Sequence, residues 1–107
     1  MDGNVVVPKG RLDSAAAPGF LAAVNSATHG GGSSLLIDFS EVPYISSAGL
    51  RVILIAAKTL AARGGRLALC SLSEQVAEVL AFSDFASIAN LSIHPGREAA
   101  RTALATG

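Results

Sequence analysis

Two kinds of apolar pattern alternate along the chain. The first is a short unbroken run. Asn4-Val5-Val6-Val7 is β-branched and predicts a short strand. Pro8 puts its end at a sheet edge, because proline has no N–H to give to a ladder. Ser34–Phe39 is a continuous apolar run between turn signals, the pattern of a strand buried on both faces. Arg66–Ser71 predicts a third strand and Ile88–Ile93 a fourth. The second pattern repeats every three to four residues. Ala17, Phe20, Leu21, Val24 and Ala27 predict a helix capped by Asp13 or Ser14, running to about His29 and ended by Gly30-Gly31-Gly32. A second helix is predicted from Ser46 or Ser47 to about Arg63, before Gly64-Gly65. Ser73 opens a third, to about Phe82, with Glu74 in its first turn. Pro95 suits a first turn, and Gly96–Ala105 closes the chain as a fourth helix. Strand and helix alternate four times, which predicts an α/β fold: a mixed, mainly parallel sheet of about four strands flanked by about four helices. Neither a repeat nor a long linker divides residues 1–107, so a single domain is expected.

Composition narrows the function. A chain of 107 residues supports one core. Eight basic and eight acidic residues cancel, so there is no long-range pull toward nucleic acid or anionic lipid, and neither is expected as a direct partner. Arg51, Lys58, Arg63 and Arg66 are too few for a nucleic-acid surface. The longest uncharged apolar stretch, Val52–Ala57, is far short of a membrane span. A single cysteine and a start, Met1-Asp2-Gly3-Asn4, without a signal-peptide pattern lead to the expectation of a cytoplasmic protein. His29 and His94 have no Cys, His or carboxylate at metal-ligand spacing, so neither metal nor cofactor is expected. Cys70 lies within a predicted strand and reads as a core thiol. The glycines at 30–32 follow a helix and precede a strand, the reverse of a phosphate-cradling loop. With no convergent acid, base or metal set, the chain does not read as an enzyme.

The stretch that carries most information is Asp38–Leu50, where a buried strand leads through a turn into Ser46-Ser47-Ala48-Gly49 and an apolar helix. A serine at a helix N-terminus has two uses. Its hydroxyl can cap a free amide, worth about 1 kcal/mol. Alternatively it can accept a phosphoryl group where unpaired N–H groups and the helix dipole stabilise an anion. Two adjacent serines allow one of each. Asp38 can cap the following turn or orient the serine pair. The helix itself has two apolar stripes. Leu50, Ile53, Leu54, Ala57, Leu60 and Ala61 are expected to face the sheet. Val52, Ile55, Ala56, Thr59 and Ala62 form a second stripe, which is either covered by a neighbouring helix or offered to a partner.

The same segment resembles the signature of the STAS family, the fold of bacterial anti-sigma-factor antagonists and of sulfate-transporter tails. Ser46-Ser47-Ala48-Gly49-Leu50 is similar to the family's Asp-Ser-Ser/Thr-Gly-Leu element, with Ser46 where the family has Asp. Gly10-Arg11-Leu12-Asp13 resembles the Gly-x-Leu-Asp element before the first helix, and Gly64-Gly65-Arg66-Leu67-Ala68-Leu69-Cys70 the Gly-Gly-then-strand element. The first family strand is expected to be short or missing. The resemblance implies an anti-sigma-factor antagonist whose phosphoacceptor, two positions before the glycine, is Ser47. It implies an anti-sigma factor that is also the serine/threonine kinase as partner, together with a protein phosphatase. The implied partner-contact set is Asp13, Ser46, Ala48, Gly49, Leu50, Arg51, Val52 and Ile55. The alternative is a STAS subunit that regulates a membrane transporter's ATPase without a phosphoryl switch.

Overall fold

The computed structural model describes residues 4–30 and 32–106, in the order β1 (Asn4–Val6), α1 (Ala17–Thr28), β2 (Ser34–Asp38), α2 (Ser47–Ala61), β3 (Arg66–Cys70), α3 (Glu74–Phe82), β4 (Leu91–His94) and α4 (Arg97–Thr106). The expectations placed on Met1–Gly3 and on Gly31 lie outside the described residues. The strands form one sheet in the order β1-β2-β3-β4, and each neighbouring pair is parallel. β2 and β3, whose runs carry no alternating polar positions, take the centre, and both are buried from their second residue onward.

Side chains alternate across a strand, and that alternation divides the core. Leu35 and Ile37 of β2 and Leu67 and Leu69 of β3 join one large cluster with Phe20 and Val24 of α1, Ile53 and Leu60 of α2, and Val76 and Leu80 of α3. Leu36, Ala68 and Cys70 point the other way and meet Ala100 of α4, with Leu104 packed beside them. The Phe20 and Phe39 rings cross edge to face with centroids 6.5 Å apart, joining α1 to the end of β2.

Three features differ from the pattern-based expectation. α1 begins at Ala17 because Asp13 caps a separate turn: its Oδ1 accepts the N–H groups of Ala15 and Ala16, each at 3.1 Å. Pro18 then sits in the first helical turn, where no N–H is required. The fourth strand starts at Leu91 rather than Ile88. Asp84 adopts φ +57 and Phe85–Ser87 forms a 3-10 turn, so this stretch is not extended. The Asn90 amide then ties the turn down by donating to the Ala57 and Gly65 carbonyls at 2.9 and 3.2 Å.

The third difference concerns the two stripes of α2. Its buried residues are Gly49, Val52, Ile53, Ala56, Ala57 and Leu60. α1 packs alongside α2, so the buried arc is rotated away from the expected one. Val52, 3% exposed, and Ala56 are core residues rather than members of an open stripe. Ala61, expected in the core, is exposed instead. The solvent face of α2 carries Ser47, Arg51, Ile55, Lys58 and Ala62, with Leu54 half-buried at its border.

Asp38 is the charged side chain drawn into this frame, at 5% exposure. Oδ1 accepts the Ser40 N–H at 2.8 Å, which is the turn-capping role. Oδ2 accepts Nε and Nη2 of Arg97 at 3.0 and 2.6 Å, a partner that lies 59 residues away. Arg97 opens α4, where the helix dipole disfavours a cation, so the carboxylate also offsets that cost. Burial alone would raise the Asp38 carboxyl, but the Ser40 amide and the Arg97 guanidinium outweigh it and leave the carboxyl below its ordinary value of 3.8. A group whose folded pKa is depressed stabilises the fold above the unfolded pKa, and that contribution disappears as pH falls through the folded one. Thermal melts between pH 7 and pH 2.5 are therefore expected to show an acid loss of stability that is shallower in Asp38→Asn, which keeps an acceptor for Ser40 but does not titrate.

Candidate functional site

Ser47 is the first residue of α2 and is exposed. Its position is fixed by the segment before it. Tyr44–Ser46 runs beside Leu12 in a parallel bridge: the Leu12 N–H donates to the Tyr44 carbonyl at 2.9 Å, and the Ser46 N–H to the Leu12 carbonyl at 3.0 Å. Gln75, at the start of α3, holds Ile45 with both ends of its amide. Oε1 accepts the Ile45 N–H at 3.0 Å, and Nε2 donates to the Ile45 carbonyl at 3.4 Å. The Leu50 N–H then donates to the Ser46 carbonyl at 3.0 Å and starts the helix. Ile45 is itself buried in the core, so the approach to Ser47 is anchored by its side chain as well as its backbone.

Gly49 closes the frame from beneath. A Cβ there would lie 2.6 Å from Cγ1 of Ile45 and 2.8 Å from the Leu12 carbonyl oxygen. Only a residue without a side chain lets α2 approach the Leu12 segment this closely.

The two serines divide their tasks in an unexpected way. Ser46 occupies the N-cap with extended backbone, φ −107 and ψ 179, but its side chain does not cap. The Ser46 hydroxyl donates to the Leu12 carbonyl at 3.3 Å. The first-turn amides of α2 thus have no side-chain acceptor from Ser46, and no acidic residue lies in that turn. The positive end of the helix dipole is left open next to Ser47. Among the described residues no histidine or carboxylate is hydrogen-bonded to the Ser47 hydroxyl, so nothing there activates it as a nucleophile of its own.

Around this point Arg11 stands over the Tyr44 ring at 4.1 Å, a cation–π contact, and lies 3.9 Å from Asp13. Asp13 is half-buried, with one oxygen committed to the turn before α1. Ser46, Ala48 and Leu50 are half-buried, Arg51 is exposed, and Ile55 is 37% exposed. Gly49 and Val52 are buried and support the site from inside. Val52, expected in the partner-contact set, has its side chain in the core, whereas Arg51 and Ile55 of that set lie on the surface. Leu12, Tyr44 and Gln75 were not among the expected site residues. Nothing near Gln75 in the sequence marks it, because its partner lies 30 residues away.

Among the described residues there is no group of three or more His, Cys, Asp or Glu that could hold a metal ion, and no helix is long and apolar enough to cross a membrane. Cys70 is buried, and burial pushes its thiol pKa up, away from the reactive thiolate.

The model of the STAS domain matches residues 2–100. The chain belongs to the STAS domain family. A relative from Bordetella bronchiseptica, BtrV, provisionally assigned as an anti-sigma factor antagonist, is 44% identical over 72 residues, 67% of this chain. The matched stretch spans 60% of that relative's length. A crystal structure of a Thermotoga maritima protein with the same provisional assignment superposes with a TM-score of 0.85 at 27% identity, covering 94% of this chain and 87% of that one. SpoIIAA, the anti-sigma factor antagonist and cell fate determinant of Bacillus, superposes in its unphosphorylated form with a TM-score of 0.71 at 21% identity, covering 100% and 94% of the two chains. Its phosphorylated form gives 0.67 at 24% identity, covering 90% and 85%. At those identities SpoIIAA speaks for the STAS fold alone: four parallel strands in one sheet with four helices.

Proposed function

We propose that this STAS domain is an anti-sigma-factor antagonist of the bacterial cytoplasm. In this reading it binds an anti-sigma factor while Ser47 is unmodified and releases it when Ser47 is phosphorylated. It is a binding module and a kinase substrate, not a catalyst. The anti-sigma factor is the serine/threonine kinase, and a protein phosphatase resets the switch. The observation that carries this reading is the exposed Ser47 hydroxyl at the open positive end of α2, on a backbone braced by Leu12 and Gln75. The names of BtrV and the Thermotoga protein support the partner class.

The contact face takes in Asp13, Ser46, Ala48, Leu50, Arg51 and Ile55, with Gly49 and Val52 fixing its shape from the core. Phosphorylation adds about −1.5 to −2 charges at Ser47. In the free chain the helix N-terminus and water carry that charge. In a desolvated interface the phosphate must lose water and meets a surface shaped for a hydroxyl. A penalty of about 1.4 kcal/mol is already tenfold in affinity.

The test is to measure binding of Ser47→Ala and Ser47→Asp to the cognate anti-sigma factor. Ser47→Ala is expected to bind within a few-fold of the unsubstituted chain, and Ser47→Asp at least tenfold more weakly. Equal affinities for the two variants would remove the switch from the account and leave only the fold.

A further inference from the structure

The reading of Ser47 as phosphoacceptor leaves open what receives the new charge in the free chain. α2 puts Ser47 and Arg51 one helical turn apart, and both are exposed. Residues four apart on a helix have Cβ atoms about 5–6 Å from each other, and an anion N-terminal to a cation is the more favourable order. An arginine on a helix also leans back toward the N-terminus, which here means toward Ser47. Before modification Arg51 has no anion on its own helix, since Ser47–Ala61 contains no Asp or Glu. No carboxylate of the described residues forms an ion pair with it.

Arg11 and Asp13 are otherwise engaged, and Lys58 is distant. Arg11 lies against Tyr44 and Asp13, on the segment that pairs with Tyr44–Ser46. Asp13 accepts two backbone amides. Lys58 stands about three helical turns from Ser47, roughly 16 Å along the axis. Gln75, from α3, is neutral and already bound to Ile45.

We propose that Arg51 is the internal counter-charge of phosphorylated Ser47. The planar guanidinium fork meets two phosphate oxygens at once, a geometry that a lysine ammonium does not reproduce. Pairing engages the Arg51 guanidinium with the phosphate on the contact face itself, so one modification alters both charges that the face presents.

The test uses the full chain with phosphoserine inserted at position 47 during translation. Because no kinase is needed, failure of a kinase to modify Ser47 and failure of this pairing are separate results. The second phosphate pKa is read by phosphorus NMR titration at low salt in the unsubstituted chain and in Arg51→Gln, Arg11→Gln and Lys58→Gln. Arg51→Gln is expected to raise it by about half a unit, as loss of a one-turn ion pair to a dianion requires. Lys58→Gln and Arg11→Gln are expected to move it much less, and the Arg51 effect is expected to shrink at 1 M salt. A shift in Arg51→Gln no larger than that in Lys58→Gln overturns the proposal, and a larger shift in Arg11→Gln assigns the counter-charge to Arg11 instead.

Discussion

Gly65→Ala is expected to be the most destabilising single-methyl change in this domain, at about 3 kcal/mol or more. A Cβ at Gly65 would lie 1.8 Å from the Ser33 carbonyl oxygen and 2.6 Å from its carbon. Those are backbone atoms, so no rotamer change relieves the overlap. The same Ser33 oxygen accepts the Arg66 N–H at 2.8 Å, where the two central strands begin their pairing. Moving Ser33 aside breaks that bond. Moving Gly65 strains the bond from its own N–H to the Leu60 carbonyl at 2.7 Å, which ends α2. Gly64 supplies the contrast. It has φ +69 but open space around its Cβ position, so Gly64→Ala costs only the left-handed backbone penalty of about 1–2 kcal/mol. Denaturant unfolding of the two variants is expected to rank Gly65→Ala as clearly the less stable, and the reverse order would mean that the α2–β3 turn yields more easily than its contacts imply.

The second large effect is expected at Gly49. Gly49→Ala drives a methyl into Cγ1 of Ile45 and the Leu12 carbonyl. Overpacking of this kind costs about 1–3 kcal/mol. Unlike Gly65, Gly49 lies within the functional frame, so the substitution also moves the site. The Leu12 oxygen accepts both the Ser46 N–H and the Ser46 hydroxyl, and Ile45 is held by Gln75. Pushing either one tilts the start of α2, and Ser47 moves with it. Binding to the anti-sigma factor is expected to fall at least tenfold at a temperature where the variant remains folded by circular dichroism. Full binding by a folded Gly49→Ala would mean that the position of Ser47 is less constrained than the hydrogen bonds around it imply.

Much of this arrangement was legible in the sequence, and the reason is local. The run at Ser34–Phe39 has no alternating polar positions and reads as a central strand, which is β2, and the run at Arg66–Ser71 reads as a strand, which is β3. Ser46-Ser47-Ala48-Gly49 announced a helix start, and α2 begins at Ser47. The errors came from long-range packing. Two stripes on α2 could be seen, but which of them turned inward depended on where α1 lay, and that put Val52 in the core. Asp38 was read as a turn cap, which it is, but Arg97 reaches it from 59 residues away. Gln75 was missed for the same reason: a polar residue in a helix's first turn gives no local sign that it will clamp a loop 30 residues back. The serine pair also gives no local sign that Leu12 offers the Ser46 hydroxyl a carbonyl in place of the helix amides.

In the proposed switch, one added charge on an otherwise unchanged scaffold decides whether the partner stays. Calorimetric titration of the anti-sigma factor into chain carrying either serine or phosphoserine at position 47 puts this to the most direct test. Tight binding to the first and an affinity at least tenfold lower for the second are expected. Matching isotherms for the two forms would contradict the switch.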